Sequence, residues 1–236
     1  MDPIAPFTGF TAASITFLCE LKVNNNREWF NERKQIYQEY LLQPFRALAM
    51  MLSPTMYNID PLFELHPAKM LSRIYRDIRF SPNKEPYKTS MWLNFQRKAT
   101  HWEDYPGFFA ELSSDQFTYG MGLYSPRRKI MDTLREEISF SRESFREMAL
   151  QAAAAGFTVE GEPYKRALPS DLPEFYQPWI QRKSCYLVKR ISPTDPRLCS
   201  SAIALQLMED FTQAADLYHF MMDVVQEAQQ QLSSVT

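Results

Sequence analysis

Residues 71–96 read LSRIYRDIRFSPNKEPYKTSMWLNFQ, and the fold turns on how this stretch is read. Written as a β-strand, residues 71–80 put Arg73, Tyr75, Asp77 and Arg79 on one face and Ile74, Arg76, Ile78 and Phe80 on the other, because successive side chains alternate across a strand. A helix also fits. Leu71, Ile74 and Ile78 fall on a helical stripe, and Arg73 and Asp77 stand four apart, the spacing of a helical ion pair. We read a strand. The following segment is a cleaner one, with Met91, Leu93 and Phe95 alternating against Trp92, Asn94 and Gln96. The proline-punctuated loop between the two suits a wide hairpin. Five cations (Arg73, Arg76, Arg79, Lys84, Lys88) face two acidic residues, Asp77 and Glu85, with Tyr75, Phe80, Ser81, Tyr87 and Thr89 interleaved.

Upstream of the hairpin the pattern is helical. Residues 11–23 carry a stripe of Ile15, Leu18 and Leu21 with Phe17, and Thr11 suits the N-cap. Asn24, Asn25 and Asn26 break this helix, and one of them caps the next. Trp29, Arg33, Tyr37, Tyr40 and Leu41 share a face there, with Phe30 beside it; Pro44 ends or restarts the helix. Phe45, Leu48, Met51 and Leu52 carry the stripe to Ser53-Pro54, and residues 56–67 read as loop.

Downstream, Phe108 to Ala110 is a short apolar patch, and residues 116–124 alternate strictly, with Phe117, Tyr119, Met121 and Leu123 on one face. Ser125-Pro126 then starts a helix with Ile130, Leu134 and Ile138 buried. Residues 141–155 form another, stopped by Gly156. Residues 163–178 are irregular, residues 179–183 form a short helix end, and residues 185–191 a fourth strand. A long helix begins after Ser200 or Ser201. It buries Ile203, Leu207, Phe211, Ala215, Tyr218, Met222 and Val225 and fades into a polar tail. Helices, then about four mainly antiparallel strands, then helices, make an α+β class: a roughly four-stranded sheet packed against N-terminal and C-terminal helices. No linker stands out, so residues 1–236 are expected to form one domain with its core at about 7–228.

Composition supports a folded chain: 45% of residues are hydrophobic and 23% charged. The net charge of −2 hides a local excess. Residues 69–98 hold eight basic and two acidic residues, and the rest of the chain 18 basic and 26 acidic. A positive segment on an acidic background suits an anionic ligand better than nucleic acid. Cys19, Cys185 and Cys199 are odd in number and widely spaced, so no disulfide framework or CxxC motif is expected. No signal peptide or membrane-spanning run is read, and a cytoplasmic location follows as the expectation.

Arginine offers carboxylate or phosphate a planar fork and lysine a point charge. Arg73, Arg79, Lys84 and Lys88 are the expected anion cradle, Arg76 with Asp77 its orienting pair, and Tyr87 and Thr89 its hydroxyl donors. Arg76 is the misfit, a charge on the apolar face that needs a partner. A ligand would supply one; so would a structural carboxylate such as Glu28. Gly120 and Gly122 leave one strand face open to close approach, and Arg127 and Arg128 oppose the dipole of the helix they begin unless an anion or carboxylate lies between them. Lys165, Arg166, Arg182, Lys183, Ser184, Lys189 and Arg190 form a second basic cluster. His66, His101 and His219 show no ligand spacing, so neither a metal nor a cofactor is expected. Cys185, inside a strand, reads as a buried thiol rather than a nucleophile. Asp77, Glu85 and Lys88 only superficially resemble a nuclease carboxylate–lysine set, since the Glu–Lys spacing is three rather than two. No catalytic residue is assigned.

Four motifs carry a resemblance: NNNREWF at 24–30, RIYRDIRFSPNKEPYKT at 73–89, YGMGLYSP at 119–126 and QRKS at 181–184. Over residues 10–225 the chain resembles the bacterial and fungal family catalogued as domain of unknown function 2461. The family pattern runs NNREWF, then RIYRDxRFSxDKxPYKT, a Gly-rich aromatic strand leading to a proline-started helix, and a Lys-Arg-Lys-Ser segment. Here Asn83 replaces the acidic residue before Lys84, the Gly-rich strand has two glycines rather than three, and Arg127 and Arg128 stand where acidic or neutral residues are usual. The resemblance implies no activity. The leading expectation is binding of a phosphorylated or carboxylated small molecule at the basic hairpin. The alternatives are an enzyme acting on a phosphoryl-bearing substrate in the same pocket, or a module docking an acidic partner.

Overall fold

The computed structural model describes residues 5–79 and 82–233. Phe80 and Ser81, counted above with the hairpin, lie outside the described residues. The α+β class stands, with five strands rather than about four. They are β1 (Ser90–Phe95), β2 (Gly107–Ser113), β3 (Phe117–Leu123), β4 (Thr158–Glu160) and β5 (Cys185–Ile191), in the antiparallel order β1-β2-β3-β5-β4. β4 registers on β5 with Val159 opposite Leu187. β2 grew out of what read as an apolar patch, because Phe108, Ala110 and Leu112 alternate inward across it.

The chain divides into two compact units, each drawn from three stretches. The first takes the chain through Phe95, with Phe109–Tyr119 and Arg190–Glu209. Its helices are α1 (Ala12–Val23), α2 (Arg27–Glu32), α3 (Lys34–Tyr37), α4 (Gln43–Ile59) and the single turn α5 (Pro67–Met70). Thr11 is the N-cap of α1, as expected, and its N–H donates to the Ser14 hydroxyl (3.1 Å). The buried stripe is Ser14, Phe17, Leu18 and Leu21, while Ile15 is only half-buried. A π-turn (Gln38–Leu42) joins α3 to α4. Pro44 therefore restarts the helix, where its missing N–H costs nothing. α4 runs past Pro54 to Ile59, so the expected loop from residue 56 begins later. The carbonyl of Ala49, one turn before Ser53, takes the Ser53 hydroxyl at 2.7 Å. Phe10 packs on Phe45 and Phe117 (ring centres 4.9 and 5.8 Å) and donates its N–H to Leu198. Gly9, at φ +113°, lets that approach happen: a Cβ would lie 2.3 Å from the Ser200 nitrogen.

The second unit takes Gln96–Phe108, Gly120–Lys189 and the chain from Asp210. It holds α6 (Arg128–Phe140), α7 (Arg142–Ala154), α8 (Gln177–Ile180) and α10 (Ala215–Ser233), and α9 (Ala202–Gln213) ends inside it. The single long C-terminal helix expected from the sequence is thus two, parted at Ala214, and the second continues through the polar tail. Ile130, Leu134 and Ile138 are buried as read, and Gly156 ends α7 at φ +88°. The N-cap of α6 is Arg127, two residues later than Ser125. Phe108 packs on Phe211 and Tyr218, and Phe145 on Trp179 and Phe220. Among the described residues no helix is long and apolar enough to cross a membrane.

Candidate functional site at the basic hairpin

The two arms of the hairpin meet without forming a regular ladder, so the strand expected over 71–80 is an irregular extended arm. Isolated bridges pair Leu71 with Leu93 and Tyr75 with Tyr87. Between them run Ser72 N–H to Trp92 C=O (2.8 Å), Arg76 N–H to Pro86 C=O (2.9 Å) and Lys88 N–H to Ile74 C=O (2.8 Å). The first arm spends three residues between the bridges and the second five. The second arm therefore bulges between residues 87 and 93, where pairing is lost and side chains are re-aimed. Pro82 and Pro86 have no N–H to give a ladder. The alternation still holds through Asp77. Arg73, Tyr75, Asp77 and Arg79 are exposed, Ile74 is buried and Arg76 half-buried; Ile78, at the tip, is exposed.

The asparagine run explains what fixes this irregular arm. Asn26 caps α2, its side chain accepting from Trp29 N–H at 3.0 Å. Asn25 bonds Tyr87 as a strand neighbour would, accepting its N–H (3.0 Å) and donating to its carbonyl (3.1 Å). Two residues into α2 sits Trp29, beneath Arg33 at 4.6 Å. Phe30 stacks on the Tyr87 ring, with centres 4.0 Å apart and planes at 16°. The 24–30 and 73–89 motifs are thus one contact, with Tyr87 as its buried pin at 2% exposure.

The eight residues expected to bind do not form one cradle. Arg79 is turned onto Asp77, its Nη2 and Nε at 2.7 and 3.0 Å from the carboxylate. That bidentate pair holds Asp77 down to about 2. Lys84 donates to the Ile78 carbonyl (2.9 Å) and closes the tip. Among the described residues, Arg73 and the half-buried Thr89 make no hydrogen bond or ion pair. On the inner side, Arg76 Nη2 donates to the Tyr87 carbonyl (3.2 Å) and lies 3.9 Å from Glu85. Its Nε is buried with no partner. The carboxylate in ion-pair range is Glu85, not Glu28.

Lys88 lies on the same side, 5.4 Å over the Trp92 ring. Burial first, and the Arg76 charge second, push its ammonium pKa down, while Glu111 pushes it up. Trp92 and Glu111 occupy half-open positions of the adjacent strands β1 and β2. The structure therefore gathers Arg76, Lys88, Trp92 and Glu111. Glu111 was invisible to sequence reasoning, because β2 itself was not read as a strand.

The other clusters resolve into structure. The buried Asp104 carboxylate accepts the Arg127 N–H (2.7 Å) and Nε, which answers the repulsive arginines at the start of α6. Gly122 (φ +151°) admits the neighbouring strand, not a ligand: a Cβ would lie 2.4 Å from Tyr186 Cα. Arg182 donates to Pro178 and Gly161 carbonyls, Lys183 pairs with Glu162, and Lys189 is bound by Asp210 and the Ala155 carbonyl. Lys165 and Arg166 are exposed. Arg135 had no sequence signal, yet it ties the Ile180 and Arg182 carbonyls, Asp132 and the Tyr164 hydroxyl together. Cys185 is buried, its thiol pushed up to about 12. Among the described residues no three His, Cys, Asp or Glu side chains gather as metal donors.

A family model described as conserved hypothetical protein, domain of unknown function 2461, matches residues 13–220. No curated protein matches the chain.

Proposed function

Because the chain belongs to the family called domain of unknown function 2461, whose description carries no activity, we propose its function from the site alone: it binds a phosphorylated or carboxylated small molecule at the basic hairpin, against Arg76 and Lys88. The carrying observation is the buried, unpartnered Nε of Arg76 beside a second, partly desolvated cation. A buried donor without a partner costs about 1–3 kcal/mol, and two adjacent like charges add to that cost. An oxyanion relieves both, accepting from the guanidinium and neutralising the pair. Arg73 and Thr89, uncommitted among the described residues, are the peripheral contacts. Arg79 and Lys84 shape the tip rather than hold the ligand.

The test is a thermal-shift and calorimetric screen of phosphorylated and carboxylated metabolites on wild type, Arg76→Gln and Lys88→Met. A ligand of the native state raises the wild-type melting midpoint. Each substitution removes a charge-assisted contact of about 1.5–3 kcal/mol, or roughly tenfold to over a hundredfold in affinity. A binder whose affinity is equal in all three proteins overturns the assignment.

A further inference from the structure

One carboxylate, Glu85, is built into the rim of the Arg76–Lys88 site. Arg76 N–H bonds the Pro86 carbonyl and Lys88 N–H the Ile74 carbonyl. Arg76 therefore stands opposite Pro86 and Lys88 opposite Ile74, on either side of the Tyr75–Tyr87 bridge. Arg76 and Lys88 are then diagonal neighbours on one face of the hairpin, close enough to share a single oxyanion. Glu85 lies on the other side of Arg76, toward the tip. From Glu85 to Lys88 is about 10 Å of extended chain, with Arg76 between them.

Strict alternation would carry the Glu85 side chain to the Tyr75 face. Asn83 turns it back. The Asn83 carboxamide accepts the Glu85 N–H (2.9 Å) and donates to Glu85 Oε2 (3.0 Å), and that oxygen comes to 3.9 Å from Arg76 Nη2. The ion pair is loose, because Nη2 gives its hydrogen bond to the Tyr87 carbonyl (3.2 Å) and Nε gives none. Among the described residues, Glu85 Oε1 accepts no hydrogen bond. Asn83 thus sets the position of this carboxylate, and with 45% of the side chain exposed a ligand can reach it.

An oxyanion on Arg76 Nε and Lys88 has Glu85 as a neighbour of like charge, so a plain anion meets repulsion there. A ligand with an ammonium group close to its oxyanion meets attraction instead. Charge then alternates around the ring of Arg76, oxyanion, ammonium and Glu85. Lys88, on the far side of Arg76, repels the ammonium and so decides which way round the ligand lies. We infer that the ligand is a short zwitterion, an amine bearing a phosphate or a carboxylate, whose ammonium is received by Glu85; this rests on the Arg76–Lys88 site proposed above.

Two matched pairs of probes test it by calorimetry: phosphoethanolamine against ethyl phosphate, and β-alanine against propionate. Each pair differs in the amine alone. In the wild type the amine-bearing member of at least one pair is expected to bind about fivefold tighter, the strength of a partly exposed ion pair. Glu85→Gln keeps the shape and an oxygen for Asn83, and is expected to abolish that preference. Equal affinity within both pairs, or a preference that survives Glu85→Gln, overturns the ammonium assignment and leaves the Arg76–Lys88 site standing. Tighter binding of the plain anions, increased further in Glu85→Gln, makes Glu85 a competitor of the ligand and overturns the assignment likewise. No binding of any probe at millimolar concentration, or binding undiminished in Arg76→Gln, overturns the site and the assignment together. Which pair binds tighter separates phosphate from carboxylate as the head group.

Discussion

At Asp77 and Lys88 the same physics runs in opposite directions. Asp77 is exposed and held by the Arg79 fork, so its carboxyl is depressed to about 2. A depressed carboxyl stabilises the fold above its ordinary value and loses that contribution as pH falls through the folded one. Carboxyl NMR should therefore show Asp77 titrating near 2, returning to the ordinary aspartate range in Arg79→Ala. An ordinary midpoint in wild type contradicts the fork. Lys88 is depressed by burial and by Arg76. Its charge costs stability at neutral pH, and that cost is relieved as pH rises through its folded pKa, below the usual lysine range. A bound anion favours the charged form, so binding takes up a proton there. Calorimetry in alkaline buffers should show affinity falling and proton uptake appearing as that pKa is crossed. Affinity independent of pH across this range contradicts a role for the Lys88 charge.

Among the elements, the contact that decides the hairpin is made by a side chain. Asn25 supplies Tyr87 with both bonds a strand partner would give, because the Tyr75–Tyr87 pair turns the N–H and C=O of Tyr87 away from the first arm. Asn25→Ala leaves the buried Tyr87 N–H unsatisfied, and urea unfolding should lose about 1–3 kcal/mol. A loss below about 0.5 kcal/mol would show that the hairpin stands without the clamp. This clamp also marks the limit of what the sequence reveals. The alternation of 73–79 was legible because only one side of the arm is covered. That Asn25, not a strand, would pair with residue 87 was not, because the contact spans 62 residues and no local pattern encodes it. β2 escaped notice for a related reason: with Phe109 half-buried on its open face, its apolar run carries no clean alternation. Pro54 looked like a helix stop, but α4 continues through it to Ile59.

For the molecule as a whole, the excess charge of residues 69–98 proved divisible. The tip arginine is paired with Asp77, the tip lysine holds a carbonyl, and Arg76 and Lys88 share the inner face. The class and the family were within reach of periodicity and motif. The division of the cations was not, because it depends on which arm side faces the sheet and on Glu111 from a strand that gave little signal. The central claim rests on one atom, the Arg76 Nε. Its N–H resonance, followed by ¹⁵N NMR while a binder from the metabolite screen is titrated in, tests that claim most directly. Direct acceptance by the bound anion predicts a large shift and slowed solvent exchange of that one N–H, saturating with the calorimetric affinity. An Nε–H that stays unchanged at full occupancy would contradict it.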